Sequence, residues 1–177
     1  MKQVSNELLE YLHTRREFYM CELYEIKLLG GLVFRYANYD MPITLPDGRF
    51  FTHKGPIFKR TRTKLTSKIT VDKMNVTITV DGNDQMAGVP TMQVSHNGGF
   101  DGATLTLYRC FMDAPGVVVD VVEWFGGDVD VKEGGGIDIE LEIKSGVQRL
   151  NVEWPLRKYY PTCPYSLYDA GCGLDRS

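Results

Sequence analysis

The chain has 177 residues, 43% of them apolar, and a formal net charge of −3. That length supports one substantial domain, with room for a small appendage and not for a second full domain. The overall charge gives no general reason to expect a nucleic-acid binder, and no window reaches membrane-spanning length without a charge.

The segment Met1 to Glu7 lacks the apolar core of a signal peptide, so synthesis and folding in the cytoplasm are expected. Ser5 is placed to cap a short helix in which Leu8, Leu9 and Leu12 form an apolar stripe, with Arg15 and Arg16 at its carboxyl end. From Phe18 to Leu28 the pattern becomes that of a strand, with Met20, Tyr24, Ile26 and Leu28 on one face. Gly30-Gly31 predicts a hairpin turn into Leu32 to Tyr36, and Pro46-Asp47-Gly48 a second turn before Arg49-Phe50-Phe51.

Met74, Val76, Ile78 and Val80 alternate with polar residues, and Asp81 to Asp84 ends that strand. The stretch from Gln85 to Gly102 reads as a short helix or an exposed loop. In the strand from Ala103 to Phe111, Ala103, Leu105, Leu107 and Phe111 share one parity and Cys110 lies on the other. Val117 to Phe125 is a second apolar strand, Gly126-Gly127 predicts a turn, and Val129 to Lys132 is expected to pair back. Ile137 to Ile143 alternates apolar with acidic residues, as a half-exposed antiparallel strand does. With no helix-sized crossovers between these strands, the fold class is mainly β, an antiparallel barrel or sandwich with a short N-terminal helix.

After Gly146 the composition changes, and Pro155, Pro161 and Pro164 oppose both a continuous helix and a central strand. The chain therefore divides into a β-rich core over 1–150 and an irregular arm over 151–177. In that arm Trp154, Arg157, Tyr159, Tyr160, Tyr165 and Tyr168 are candidate interface anchors; the alternative is that the aromatic residues pack back onto the protein's own sheet.

Charge is unevenly spread. His53 to Lys73 holds seven Lys or Arg and one acid, whereas Asp113 to Glu142 holds nine acids and one Lys. If these stretches form separate faces, the molecule is electrically polar and suited to an ordered stack or ring; otherwise they are solvated edges and loops. The run Lys59-Arg60-Thr61-Arg62-Thr63-Lys64 would serve either an acidic neighbour or nucleic-acid phosphates.

Enzymatic chemistry has little support. His13, His53 and His96 stand apart from any zinc-protease, nucleophile-elbow or phosphate-loop motif, and Gly134-Gly135-Gly136 reads as a flexible turn. Asp138, Glu140 and Glu142 share one strand face that alternation sends to solvent. Of the four cysteines, Cys21 and Cys110 read first as small buried hydrophobes. For Cys163 and Cys172 three readings stand: inert packing, metal or cluster ligation, and a disulfide formed in an extracellular particle.

The closing segment, Cys163-Pro164 through Leu167-Tyr168 to Cys172-Gly173, resembles the carboxyl end of a family of short tail-tip or baseplate proteins of long-tailed bacteriophages and phage-like gene transfer agents. The front half is similar too, in a helix, an early strand Cys21-Glu22-Leu23-Tyr24-Glu25-Ile26, a Gly-containing turn and Phe34-Arg35-Tyr36-Ala37. The resemblance implies a structural, non-enzymatic protein of the virion tail tip, in β-domains around the channel, linking the hub to neighbouring tail or adaptor proteins in a ring-like assembly. Some related tail-tip proteins, including the minor tail protein L of lambda-like phages, hold an iron–sulfur cluster through carboxyl-terminal cysteines. Here only Cys163 and Cys172 lie in that region, so such a cluster would also need Cys21 and Cys110 brought beside it.

Overall fold

A computed structural model describes residues 4–61 and 72–147. Helix α1 (Asn6–Thr14) is followed by strands β1 (Tyr19–Lys27), β2 (Val33–Asn38), β3 (Ile43–Thr44), β4 (Phe50–Phe51), β5 (Ile57–Arg60), β6 (Lys73–Thr79), β7 (Gln85–Met86) and β8 (Val89–Pro90). Helix α2 (Thr91–His96) then leads into β9 (Thr104–Ala114), β10 (Val117–Gly135) and β11 (Asp138–Lys144). Seven strands make one antiparallel sheet in the order β2-β1-β9-β10-β11-β6-β5, curled into a near-barrel, and β3-β4 and β7-β8 are small separate hairpins. The expected mainly β, antiparallel architecture with an N-terminal helix is what the chain adopts.

Alternation explains the interior. Tyr24 and Ile26 of β1, Leu105 and Leu107 of β9, Val76 and Ile78 of β6, and Ile139, Leu141 and Ile143 of β11 all point inward and are buried. Each such aliphatic side chain removed from water contributes about 1.5–3 kcal/mol. Phe100 and Met86, from the α2 region and β7, belong to this same core.

A second core lies on the opposite face of the same strands. Cys21 and Leu23 of β1, with Cys110 and Met112 of β9, are covered from outside by Ile43, Leu45 and Phe51 of the β3-β4 hairpin. Hence β1 and β9 are buried at both parities along part of their length, and Cys21 and Cys110 are the small buried residues that the sequence predicts.

The helix forms where the cap predicts. Ser5 Oγ accepts from the backbone N–H of Leu8 at 3.1 Å and also donates to Asp120 of β10. Tyr11 donates to the carbonyl of Met112 at 3.0 Å, and Arg15 pairs with Asp113 at 2.9 Å, fixing α1 against the β9-β10 end. Leu8 is buried, but Leu9 is 45% exposed, so the helix turns a narrower stripe inward than the three leucines suggest.

Two further expectations change. Gln85 to Gly102 contains the β7-β8 hairpin as well as the short α2. Gly126-Gly127 is no turn, because β10 runs through it unbroken, pairing with β9 before Asp128 and with β11 after it. A side chain at Gly127 would place its Cβ 2.1 Å from the carbonyl oxygen of Lys144, so glycine there admits the end of β11 rather than reversing the chain.

Candidate functional site

The two edge strands of the curled sheet, β2 and β5, approach each other and form a seam. Tyr36 of β2 and Phe58 of β5 have ring centroids 5.2 Å apart, and Phe58 also stacks on Tyr24 of β1 at 4.6 Å. The residue after β4 bridges the edge of β2: Ala37 N–H donates to the carbonyl of Thr52 at 2.7 Å, and Thr52 N–H to that of Arg35 at 3.1 Å. Part of an otherwise open edge is thereby satisfied.

At one end of the seam Arg60 reaches Glu22, its Nε 2.8 Å from Oε1 and 2.9 Å from Oε2, with a further contact from the guanidinium. Both side chains are largely covered, at 17% and 19% exposure. The Tyr24 hydroxyl donates to the same carboxylate at 3.0 Å, while burial, with the Glu22 charge adding to it, pushes the Tyr24 phenol far above its ordinary value. Burial likewise pushes Tyr36 up to about 12. The two tyrosines thus stay neutral at neutral pH and act as fixed hydrogen-bonding and packing elements.

Beside the seam opens a cavity of about 380 Å³, lined by Ala37, Tyr39, Asp40, His53, Pro56 and Phe58 among others. Its walls come from the end of β2 and the approach to β5. Glu22 was the signal for this region in the sequence: a charge at an inward parity between Met20 and Tyr24 requires a buried partner. That the partner is Arg60 depends on how the sheet closes, which no local pattern shows.

On the outer sheet surface Glu142 is held by three lysines, Lys132 at 3.1 Å and Lys73 and Lys144 each at 3.4 Å, and Lys144 also binds Asp130 at 2.6 Å. Burial alone would raise the Glu142 carboxyl, but the lysine hydrogen bonds and charges win and hold it below its ordinary value. Glu142 keeps only 9% exposure, contrary to the expected solvated acidic face, because the lysine stems lie over it. Glu133 and Glu140, by contrast, are exposed and directly opposite each other, near the exposed Ile137 at the β10-β11 tip.

The predicted cysteines separate into two groups. Cys21 and Cys110 are direct cross-strand partners of β1 and β9, both buried and both free thiols. Among the described residues no group of three or more His, Cys, Asp or Glu side chains is arranged to hold a metal. Cys163 and Cys172, and the anchors Trp154, Arg157, Tyr159, Tyr160, Tyr165 and Tyr168, lie outside the described residues, as do Arg62, Thr63 and Lys64 of the basic run. Of that run's described members, Arg60 is committed to Glu22, which leaves Lys59 exposed on β5. His13 lies in the last turn of α1, His53 lines the cavity and His96 ends α2, so the histidines are not brought together.

Comparison with known families settles what this arrangement belongs to. Residues 5–175 match the family described as baseplate hub protein, N-terminal attachment domain. The chain belongs to that family. Its members are structural components of the phage baseplate hub, and the match spans both the curled sheet and the carboxyl-terminal cysteine segment. Among solved structures, a chain from the virion of a native gene transfer agent particle shares the fold with a TM-score of 0.67 at 18% identity. That alignment covers 97% of this chain and 55% of the other, so the hub attachment domain described here spans about half the length of that relative. No curated protein matches in sequence.

Proposed function

We propose that this domain seats a baseplate hub in the tail tip of a phage-like particle, joining the hub to neighbouring tail or adaptor subunits by surface contacts and without chemistry. The family match over 5–175 carries this reading. The geometry agrees with it. A near-barrel whose seam is closed by stacked rings and a covered ion pair is a rigid mount, suited to presenting fixed surfaces.

Two surfaces are the candidates for docking. The β10-β11 tip sets Glu133 opposite Glu140 beside exposed Ile137, a like-charge pairing that costs stability in the free domain and is relieved by a basic partner. The arm over 151–177, with Trp154, Arg157, Tyr159, Tyr160, Tyr165 and Tyr168, is the second, and it carries the rigid aromatic anchors that interfaces favour. In a ring-like assembly the acidic tip of one subunit would face a basic surface of the next.

The test is deletion of Trp154 to Ser177 in a complementing particle system. The β-core should remain folded by circular dichroism while the truncated protein fails to enter assembled tails. Normal incorporation of the truncated chain would overturn the docking role of the arm.

A further inference from the structure

Cys21 and Cys110 stand directly opposite each other on adjacent antiparallel strands, in a register that continues unbroken from Tyr19↔Met112 to Lys27↔Thr104. Directly opposed residues in such a ladder have Cα atoms about 4.5 or 5.5 Å apart, depending on which kind of pair they form, and both spacings fall in the range a disulfide accepts. Both side chains point to the same face, toward the outer core under the β3-β4 hairpin. Both are free thiols, at 4% and 0% exposure.

From this juxtaposition we infer that Cys21 and Cys110 are a disulfide-forming site, closed by exchange with a small disulfide after the protein leaves a reducing compartment. The surroundings favour the closed form. Their proximity holds the Cys21 thiol below its ordinary value and, with burial, pushes Cys110 up, so Cys21 is the more easily ionised of the two. The pair is the third of nine in the β1-β9 ladder, and a crosslink there would tie together strands distant in sequence and so constrain the unfolded chain strongly. Its cover is the short β3-β4 hairpin, of two residues per strand, an element small enough to open locally and admit an oxidant.

With glutathione disulfide the chemistry balances in two exchanges. The Cys21 thiolate attacks one sulfur and expels a glutathione thiolate; the Cys110 thiolate then attacks Cys21 in the mixed disulfide and expels the second. Two cysteine thiols lose two protons and two electrons, and the glutathione disulfide takes up both.

The full chain carrying Cys163→Ser and Cys172→Ser is incubated with glutathione disulfide, alkylated under denaturing conditions, digested without reductant and mapped by mass spectrometry. The expected product is a peptide pair joined through Cys21 and Cys110, with thermal unfolding raised by about 5–10 °C and returned to the starting value by dithiothreitol. Cys110→Ala should abolish both the joined peptide and the reversible shift. Recovery of both cysteines as separately alkylated thiols, as stable glutathione adducts or as links between different molecules would each overturn the proposal. Because the peptide readout does not depend on Cys110→Ala folding, the inference stays testable if that variant is unstable.

Discussion

Arg60 and Glu22 are bound through the side of the guanidinium, although β5 and β1 are not neighbours in any backbone ladder. The ion pair therefore ties the edge strand β5 to β1, the strand next to the opposite edge. Arg60→Ala strands a mostly covered carboxylate and should cost about 2 kcal/mol in denaturant unfolding. The double variant Glu22→Gln with Arg60→Met, which removes both charges, should lose less than Arg60→Ala alone. An equal or greater loss would show that the charge is not what holds this end.

Phe58 should be the most sensitive position in the seam, since it stacks on Tyr24 and meets Tyr36. Phe58→Ala is expected to cost about 3–5 kcal/mol. Its neighbour Ile57 is 56% exposed, and Ile57→Ala should stay within about 0.5 kcal/mol. Comparable losses at both positions would mean that β5 is buried from both sides.

Gly127 and Gly126 should behave differently under the same substitution. An added Cβ at Gly127 meets the Lys144 backbone at 2.1 Å, while at Gly126 the nearest atoms are side-chain atoms at 3.4 Å or beyond. Gly127→Ala should cost about 2–4 kcal/mol, and Gly126→Ala under about 1 kcal/mol. Urea titrations of the two variants decide the point.

Acid should weaken the outer sheet surface through Glu142. Its folded carboxyl titrates below the ordinary value of 4.5, so the contribution is fully present above that value and is lost as pH falls through the lower folded one. Glu142→Gln should therefore lower stability at neutral pH and flatten the stability profile below about pH 4.5. An unchanged acid limb in the variant would assign the loss to other carboxylates, Asp47 first among them, whose carboxyl is also held low.

Where alternation was clean, the strands were legible from the residues: β6 and β11 bury the parity that their apolar residues mark. Legibility failed where a second layer added itself. Cys110 and Met112 lie on the face opposite Leu105 and Leu107, and what covers them, Ile43, Leu45 and Phe51, returns from a distant hairpin. Gly126-Gly127 misled for a related reason, since the glycines answer to the close approach of Lys144 and not to a local reversal. At the candidate site, each cysteine was recognisable as a buried small residue, but the meeting of Cys21 with Cys110 is a property of strand register. The same holds for Arg60, which reads locally as part of a basic run and folds as the partner of Glu22.

The unequal joints around the sheet set its mechanical behaviour. Neighbouring strands elsewhere are held by backbone ladders, whereas β2 and β5 meet through the Tyr36–Phe58 ring contact, backed by the salt bridge from β5 to β1. A tensile load that spreads the circumference would part this line first and leave the other strands in register.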